Sequence, residues 1–259
     1  MREAPTNIFA LIEMHPYLFC MPETETANLK ISIIIPVLNE APTIAKVIST
    51  ARNAENVEII VADGGSQDGT AEIAKYEADR TIFTSPGRAT QMNAGAAAST
   101  GDILLFLHGD THLPQGYDAS VRQALTNPSI VAGAFELKID APLLSLRLVE
   151  TGVKCRSHWL QMPYGDQAIF LKTDTFNHIG GFPNLPVMED FEFVRRLKKQ
   201  GRIKIVPLAV LTCARRWQQL GVIKTTAINQ IVIIGYFLGL SPDRLAFWYR
   251  GQKKNSSQN

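Results

Sequence analysis

Cysteine is scarce: Cys20, Cys155 and Cys213 are the only three in 259 residues, far apart and without a C-x-x-C pair. An odd, scattered set gives neither a disulfide framework nor zinc-ligand spacing, and it favours a reducing, cytosolic compartment. Charge of one sign is also lacking. The formal net charge is +2, and lysine and arginine are dispersed rather than blocked, so no nucleic-acid partner is expected. Neither G-x-G-x-x-G nor a P-loop follows the first predicted strand, which argues against a dinucleotide-binding oxidoreductase and a P-loop nucleotide hydrolase. The C-terminal apolar run, 231–240, is ten residues with two glycines, well short of the roughly 20 needed to span a bilayer. Glu13, His15 and Pro16 interrupt the one stretch that could have formed a leader, so 1–29 is expected as a loose tail, with Met21 as an alternative start.

What is present suffices for one substantial core: 46% of the residues are hydrophobic and 19% charged. Residues 31–38 (ISIIIPVL) form a nearly continuous β-branched run, the pattern of a strand buried on both faces of a parallel sheet. Pro42 opens a helix whose Ile44, Val47, Ile48 and Ala51 share one face. The alternation continues with strands at 57–62, 81–84 and 103–107, and helices through Ile73 and over 88–98. This order predicts an α/β fold with a mainly parallel sheet. After residue 113 the rhythm becomes more mixed: helices at 114–125, after Pro142 and at 190–200, and strands at 131–139, 168–172 and 203–206. A last helical region covers 221–240. The expected organisation is a single domain over 30–250, divided as 30–112, 113–220 and 221–250, with 251–259 as a second tail.

In an open parallel sheet, ligands bind beyond the carboxyl ends of the strands. Three loops qualify. The first carries Asn39 and Glu40. The second, Asp63-Gly64-Gly65-Ser66-Gln67-Asp68-Gly69-Thr70, suits a tight turn followed by a capped helix, yet Asp63 stands before the glycines and could accept hydrogen bonds from a base or ribose. The third, His108-Gly109-Asp110-Thr111, delivers a carboxylate to the mouth of a buried strand, where Mg²⁺ or Mn²⁺ would find oxygen ligands and a diphosphate could complete its shell. If the chain stays extended there, His108, Asp110 and His112 point the same way; otherwise the histidines are loop residues. Arg88 begins a helix and could grip a phosphate beside free N–H groups, or lie solvated. Glu189 and Asp190 open another helix, where they could serve only its dipole or deprotonate an acceptor hydroxyl.

Four ordered pieces, SIIIPVLNE at 32–40, VADGGSQDGT at 61–70, GDILLFLHGDT at 101–111 and GGFPNLPVMEDFEFVRRLKKQGR at 180–202, resemble family 2 glycosyltransferases of the GT-A fold. The resemblance runs from about residue 31 to about 250. It implies an inverting transfer from a nucleotide-diphosphate sugar. Pro36, Asn39, Glu40 and Asp63 would hold the nucleoside side, Asp110 a divalent cation and diphosphate, and Asp190 would be the catalytic base. By the same resemblance Arg88, Arg215 and Arg216 would face the diphosphate, and Gly165, Asp166, Gln167, Glu189 and Trp217 the acceptor. His108 replaces the first Asp of Asp-x-Asp and takes its place as a candidate second metal ligand. PGRATQMNAGA, LFLHGDT, YGDQAIF and ARRW are similar to a subgroup of short members often named for arsenosugar biosynthesis.

Two rivals share the fold. A nucleotidyltransferase would carry a Gly-rich loop where Asn39-Glu40-Ala41-Pro42 stands; a non-catalytic sugar-nucleotide-binding protein would be consistent with His108, but not with retention of Asp110 and Asp190. In the last helical region, Ile223, Ala227, Ile231, Ile234 and Leu238 line one face, expected first as core packing. The second expectation is an interfacial helix within 221–254, aided by Phe247, Trp248, Tyr249, Arg250, Lys253 and Lys254, which would bring a lipid-linked acceptor and the inner face of the cell membrane into play.

Overall fold

The computed structural model describes residues 28–250. Apart from Asn28 and Leu29, the two expected tails lie outside that range, as do Cys20, Lys253 and Lys254. Strand β1 (Ile31–Val37) is flanked by two parallel neighbours, β2 (Val57–Asp63) and β4 (Ile103–Phe106), which is why its apolar run is unbroken. Its alternate side chains serve two layers. Ile33 and Ile35 belong to one core cluster with Ile44, Val47 and Ile48 of α1 (Ala41–Arg52), whereas Ile34 joins Ala89 and Met92 of α3 (Arg88–Ala97) on the other face. Helix α2 (Thr70–Glu77) leads from β2 to β3 (Arg80–Phe83), the parallel edge strand.

The sheet then changes direction. Strand β7 (Phe170–Lys172) runs antiparallel between β4 and β6 (Ile130–Asp140), β8 (Arg202–Cys213) lies parallel to β6, and the two-residue β5 (Thr111–His112) closes the far edge against β8. The order is β3-β2-β1-β4-β7-β6-β8-β5, one eight-stranded sheet with the expected parallel half and mixed half. Helices α4 (Tyr117–Ala124), α5 (Leu144–Leu160), α6 (Thr173–His178), α7 (Glu189–Gln200), α8 (Arg215–Leu220), α9 (Val222–Phe237) and α10 (Pro242–Arg250) complete it.

Two expectations are corrected. The strand at 203–206 is only the beginning of β8: the register passes from Phe135 opposite Val206 to Glu136 opposite Ala209, leaving Pro207 and Leu208 as a bulge. A bulge tolerates proline because no ladder N–H is required there, so the strand resumes beyond it. The face of α9 expected to pack in the core is the outward one, with Ile223 86%, Ile231 50%, Ile234 57% and Leu238 75% exposed. Thr225, Val232 and Gly235 are buried instead, and Val232 packs with Leu245 of α10 and Phe191 of α7. Among the described residues no helix is long and apolar enough to cross a membrane.

Candidate active site

The loops after β1 and β2 are stitched together by their own polar groups. Asn39 N–H donates to Ser66 Oγ (2.8 Å), Gln67 N–H to Asn39 Oδ1 (2.9 Å), Glu40 N–H to Thr70 Oγ1 (2.8 Å) and Ala41 N–H to Asp68 Oδ2 (3.1 Å). Asn39 adopts φ +58, a left-handed conformation that asparagine tolerates, and its amide oxygen is engaged in the loop itself. Asp63, 1% exposed, accepts from Gly65 N–H and Ser66 N–H through Oδ2 (3.0 Å each), while its buried Oδ1 has no partner among the described residues. Gln91, not among the expected site residues, is buried. Its Nε2 donates to the carbonyls of Val37 (2.7 Å) and Ala62 (2.8 Å), tying together the carboxyl ends of β1 and β2. The available signal was a glutamine on the buried stripe of α3, beside Ala89 and Met92.

Beyond β4 the chain turns instead of remaining extended. Thr111 N–H bonds to the His108 carbonyl (3.1 Å), and the turn is pinned by Thr43 Oγ1 donating to Gly109 O (2.7 Å) and by Cys213 N–H donating to Asp110 O (3.1 Å). The condition for His108, Asp110 and His112 to share one side therefore fails. Arg215, first in α8, places Nη2 2.8 Å from both Glu40 oxygens and 3.5 Å from Asp110 Oδ2. The adjacent Arg216 goes elsewhere: its guanidinium stacks 3.8 Å over the Tyr249 ring and donates to the Tyr249 carbonyl (3.0 Å).

The opposite wall comes from α7 and from the 3-10 turn Gly165–Gln167. Asp190 Oδ2 accepts from Gly165 N–H and Oδ1 from Phe191 N–H, both at 2.7 Å, so two backbone donors fix this carboxylate. Neighbouring Glu189, 3% exposed, pairs with Arg88 at 3.1 Å. Burial and the charge of Asp190 push the Glu189 pKa up against the pull of Arg88. Burial opposes the charge on Arg88, but Glu189, Tyr249 and Asp190 together outweigh it and raise the guanidinium pKa.

Burial and then the Arg88 charge lower the His108 pKa to about 3, leaving a neutral imidazole whose enclosed Nε2 has no partner among the described residues. Asp166 moves the other way. Burial, reinforced by Asp190, raises it to about 6, and its Oδ1 is likewise enclosed and unpartnered. A Cβ on Gly165 would stand 2.9 Å from His108 Nε2 and 3.2 Å from Asp190 Oδ2, so only glycine lets the three approach.

Pro36, Glu40, Arg88, His108, Asp110, Asp166, Glu189, Asp190, Arg215, Arg216 and Trp217 line one cavity of about 770 Å³. Asn39, Asp63, Gly165 and Gln167 do not line it. Gln167 is corrected from acceptor contact to anchor: it is fully buried, its Oε1 accepts from Ser157 (2.8 Å) and Arg156 (3.1 Å), and its Nε2 donates to Phe135 O (2.8 Å). Its oxygen is fully engaged and its side chain is closed off from the cavity.

Residues 32–182 match the model for Glycosyl transferase family 2. The succinoglycan biosynthesis protein ExoA of Rhizobium meliloti (strain 1021) is 31% identical over 69% of this chain and 60% of its own length. Glycosyltransferase AglE of Haloferax volcanii is 37% identical over 31% of this chain and 30% of its own. The chain thus spans less than two thirds of either relative. Among solved structures, glucosyl-3-phosphoglycerate synthase from Mycobacterium tuberculosis, in complex with Mn²⁺, uridine diphosphate and glucosyl-3-phosphoglycerate, superposes with a TM-score of 0.58 at 22% identity, covering 84% of this chain and 83% of that one. The arsenosugar name has no counterpart among these proteins. A parallel sheet with its polar loops at one end, a cavity ringed by acids and arginines, and a family match over more than half the sequence lead to one conclusion: the chain belongs to glycosyl transferase family 2 and has the GT-A fold.

Proposed function

We propose that the chain transfers a sugar from a nucleotide-diphosphate sugar to an acceptor hydroxyl, with inversion at the anomeric carbon. The observation that carries this reading is the convergence of Asp190, Arg88, Arg215 and Asp110 on one cavity at the carboxyl end of the sheet. Asp190 takes the proton of the acceptor hydroxyl as its oxygen bonds to the anomeric carbon. The bond from that carbon to the diphosphate oxygen breaks on the other side. The backbone donors of Gly165 and Phe191 hold Asp190 in place, which spares the reaction much of the cost of ordering its base. Arg88 and Arg215 face the departing diphosphate. Asp63 Oδ1, buried and free, suits an N–H or O–H of the nucleoside.

The donor set is consistent with a divalent cation, Mg²⁺ or Mn²⁺, held by Asp110 together with ligand oxygens. Among the described residues no three His, Cys, Asp or Glu side chains are grouped to hold an ion by themselves. Five acids (Glu40, Asp110, Asp166, Glu189, Asp190) and three arginines (Arg88, Arg215, Arg216) line the cavity, so an incoming diphosphate calls for added positive charge. When bound, the cation would shield the charge developing on the leaving diphosphate. His108 contributes less to that set, because its free Nε2 faces Gly165 and Asp190.

The exposed apolar side chains of α9, beside exposed Lys224, support contact with an anionic membrane surface and hence a lipid-linked acceptor. Incubating the full chain with a panel of UDP- and GDP-sugars, Mn²⁺ and acceptor extracts should consume one donor. Asp190→Asn should slow this by about 10²-fold or more while nucleotide binding persists. Donor binding without consumption under every condition would favour a non-catalytic sugar-nucleotide-binding protein.

A further inference from the structure

The position of Arg215 is fixed from both sides of the cavity. Thr212 pairs with Thr111 across β8 and β5, Cys213 N–H bonds to the Asp110 carbonyl at 3.1 Å, and Arg215 follows two residues later. From there its Nη2 reaches two carboxylates on separate strand-end loops, at 2.8 Å from Glu40 and 3.5 Å from Asp110. The side chains of Arg215, Glu40 and Asp110 are 40%, 20% and 26% exposed, so a ligand can reach all three. Arg216 cannot substitute, being held by Tyr249. A divalent cation bonds a carboxylate oxygen at about 2.0–2.6 Å, and a guanidinium beside the same oxygen would repel it. With Arg215 as it is now placed, a cation on Asp110 Oδ2 would meet a like charge 3.5 Å from that oxygen and be weakened by it.

We propose that Arg215 stands in for the divalent cation in the ligand-free protein and that donor loading is an exchange: the cation takes Asp110, and Arg215 turns from Glu40 and Asp110 to the diphosphate. This rests on the reading of Asp110 as the cation's protein ligand. Glu40 is then a positioning residue acting through Arg215, instead of a direct contact of the nucleoside. Neutralising Arg215 should consequently have two effects of opposite sign, favouring the cation and disfavouring the diphosphate.

The test uses the full chain, with Mn²⁺ alone titrated by electron paramagnetic resonance and UDP or GDP by calorimetry, each with and without Mn²⁺. Arg215→Gln should bind Mn²⁺ alone about threefold more tightly and the preferred nucleotide about tenfold more weakly. A poorly folded variant would lose both affinities, so the opposed changes report the exchange itself. Asp110→Asn should remove the Mn²⁺ binding in either background. If Mn²⁺ strengthens nucleotide binding through Asp110 yet Arg215→Gln leaves the affinity for Mn²⁺ alone unchanged or weaker, the exchange is overturned and the cation reading survives. If Mn²⁺ and Asp110→Asn make no difference to nucleotide binding, both fall together. Failure of UDP and GDP alike to bind the wild-type protein would remove the donor reading beneath them.

Discussion

At Gly165 a single added methyl group should have a large effect on turnover. A methyl group there would meet His108 Nε2 at 2.9 Å and Asp190 Oδ2 at 3.2 Å, displacing the base from its two backbone donors. Gly165→Ala should lower kcat by about 10–100-fold, since a displacement near 1 Å can cost that much. Nucleotide affinity should be unchanged, because the loops after β1 and β2 lie on other elements. His108 and Asp166 give stability effects of opposite sign. The folded pKa of His108 is about 3 against an ordinary 6.5, so between those values the unfolded chain binds the extra proton and stability rises with pH. The folded pKa of Asp166 is about 6 against 3.8, so there the folded chain binds it and stability falls with pH. Relative to wild type, Asp166→Asn should therefore gain stability between pH 4 and pH 7 in urea unfolding, and His108→Gln should lose it over the same interval. That Asp63 ends β2 and that Asp110 follows β4 is legible in the sequence, because a strand end needs no side-chain geometry to be recognised. The surroundings of His108 are not, since the turn after it depends on bonds from Thr43 and Cys213, distant in sequence. The anchoring roles of Gln91 and of Gln167, the latter expected at the acceptor, are hidden for the same reason: their partners are backbone carbonyls and side chains brought close only by folding.

At the scale of elements, periodicity succeeded where a segment was long and one-sided. The buried run of β1 and the stripe of α1 were both of that kind. Strand β5 and helices α6 and α8 have too few residues to display a period, and β8 was cut short at Pro207 because a bulge leaves no local apolar pattern. The second half of helix α9 is apolar nearly all round, so its sequence did not determine which face is buried there; packing on Phe191 and Leu245 chose Val232. Helix α3 gives a sharper test of element packing. Its Gly95 lies so close to β1 that an added Cβ would be 2.4 Å from Ile34 Cγ2. Gly95→Ala improves helix propensity by up to ~1 kcal/mol, but overpacking costs ~1–3 kcal/mol. The net expectation after the full propensity gain is a loss of up to roughly 2 kcal/mol, read from the urea midpoint, with α3 moved away from the strand end that Gln91 secures.

For the molecule as a whole, the outer surface of α9 sets the question of where the reaction takes place. Ile223 and Leu238, 86% and 75% exposed, contribute little to the core, so serine at both positions should leave the thermal midpoint within about 2 °C. Sedimentation with anionic vesicles should nevertheless fall several-fold; equal sedimentation of the two proteins would remove the membrane reading. The sheet has a seam as well. In the strand ladder of the described residues its parallel part, β3-β2-β1-β4, is joined to β6-β8-β5 by the three residues of β7, while the covalent chain crosses the same seam between β4 and β5. Asp110 sits on that crossing, one residue before β5. The carboxylate is thus moored to both shores, Gly109 O accepting from Thr43 of α1, beside the parallel part, and Asp110 O from Cys213 at the end of β8.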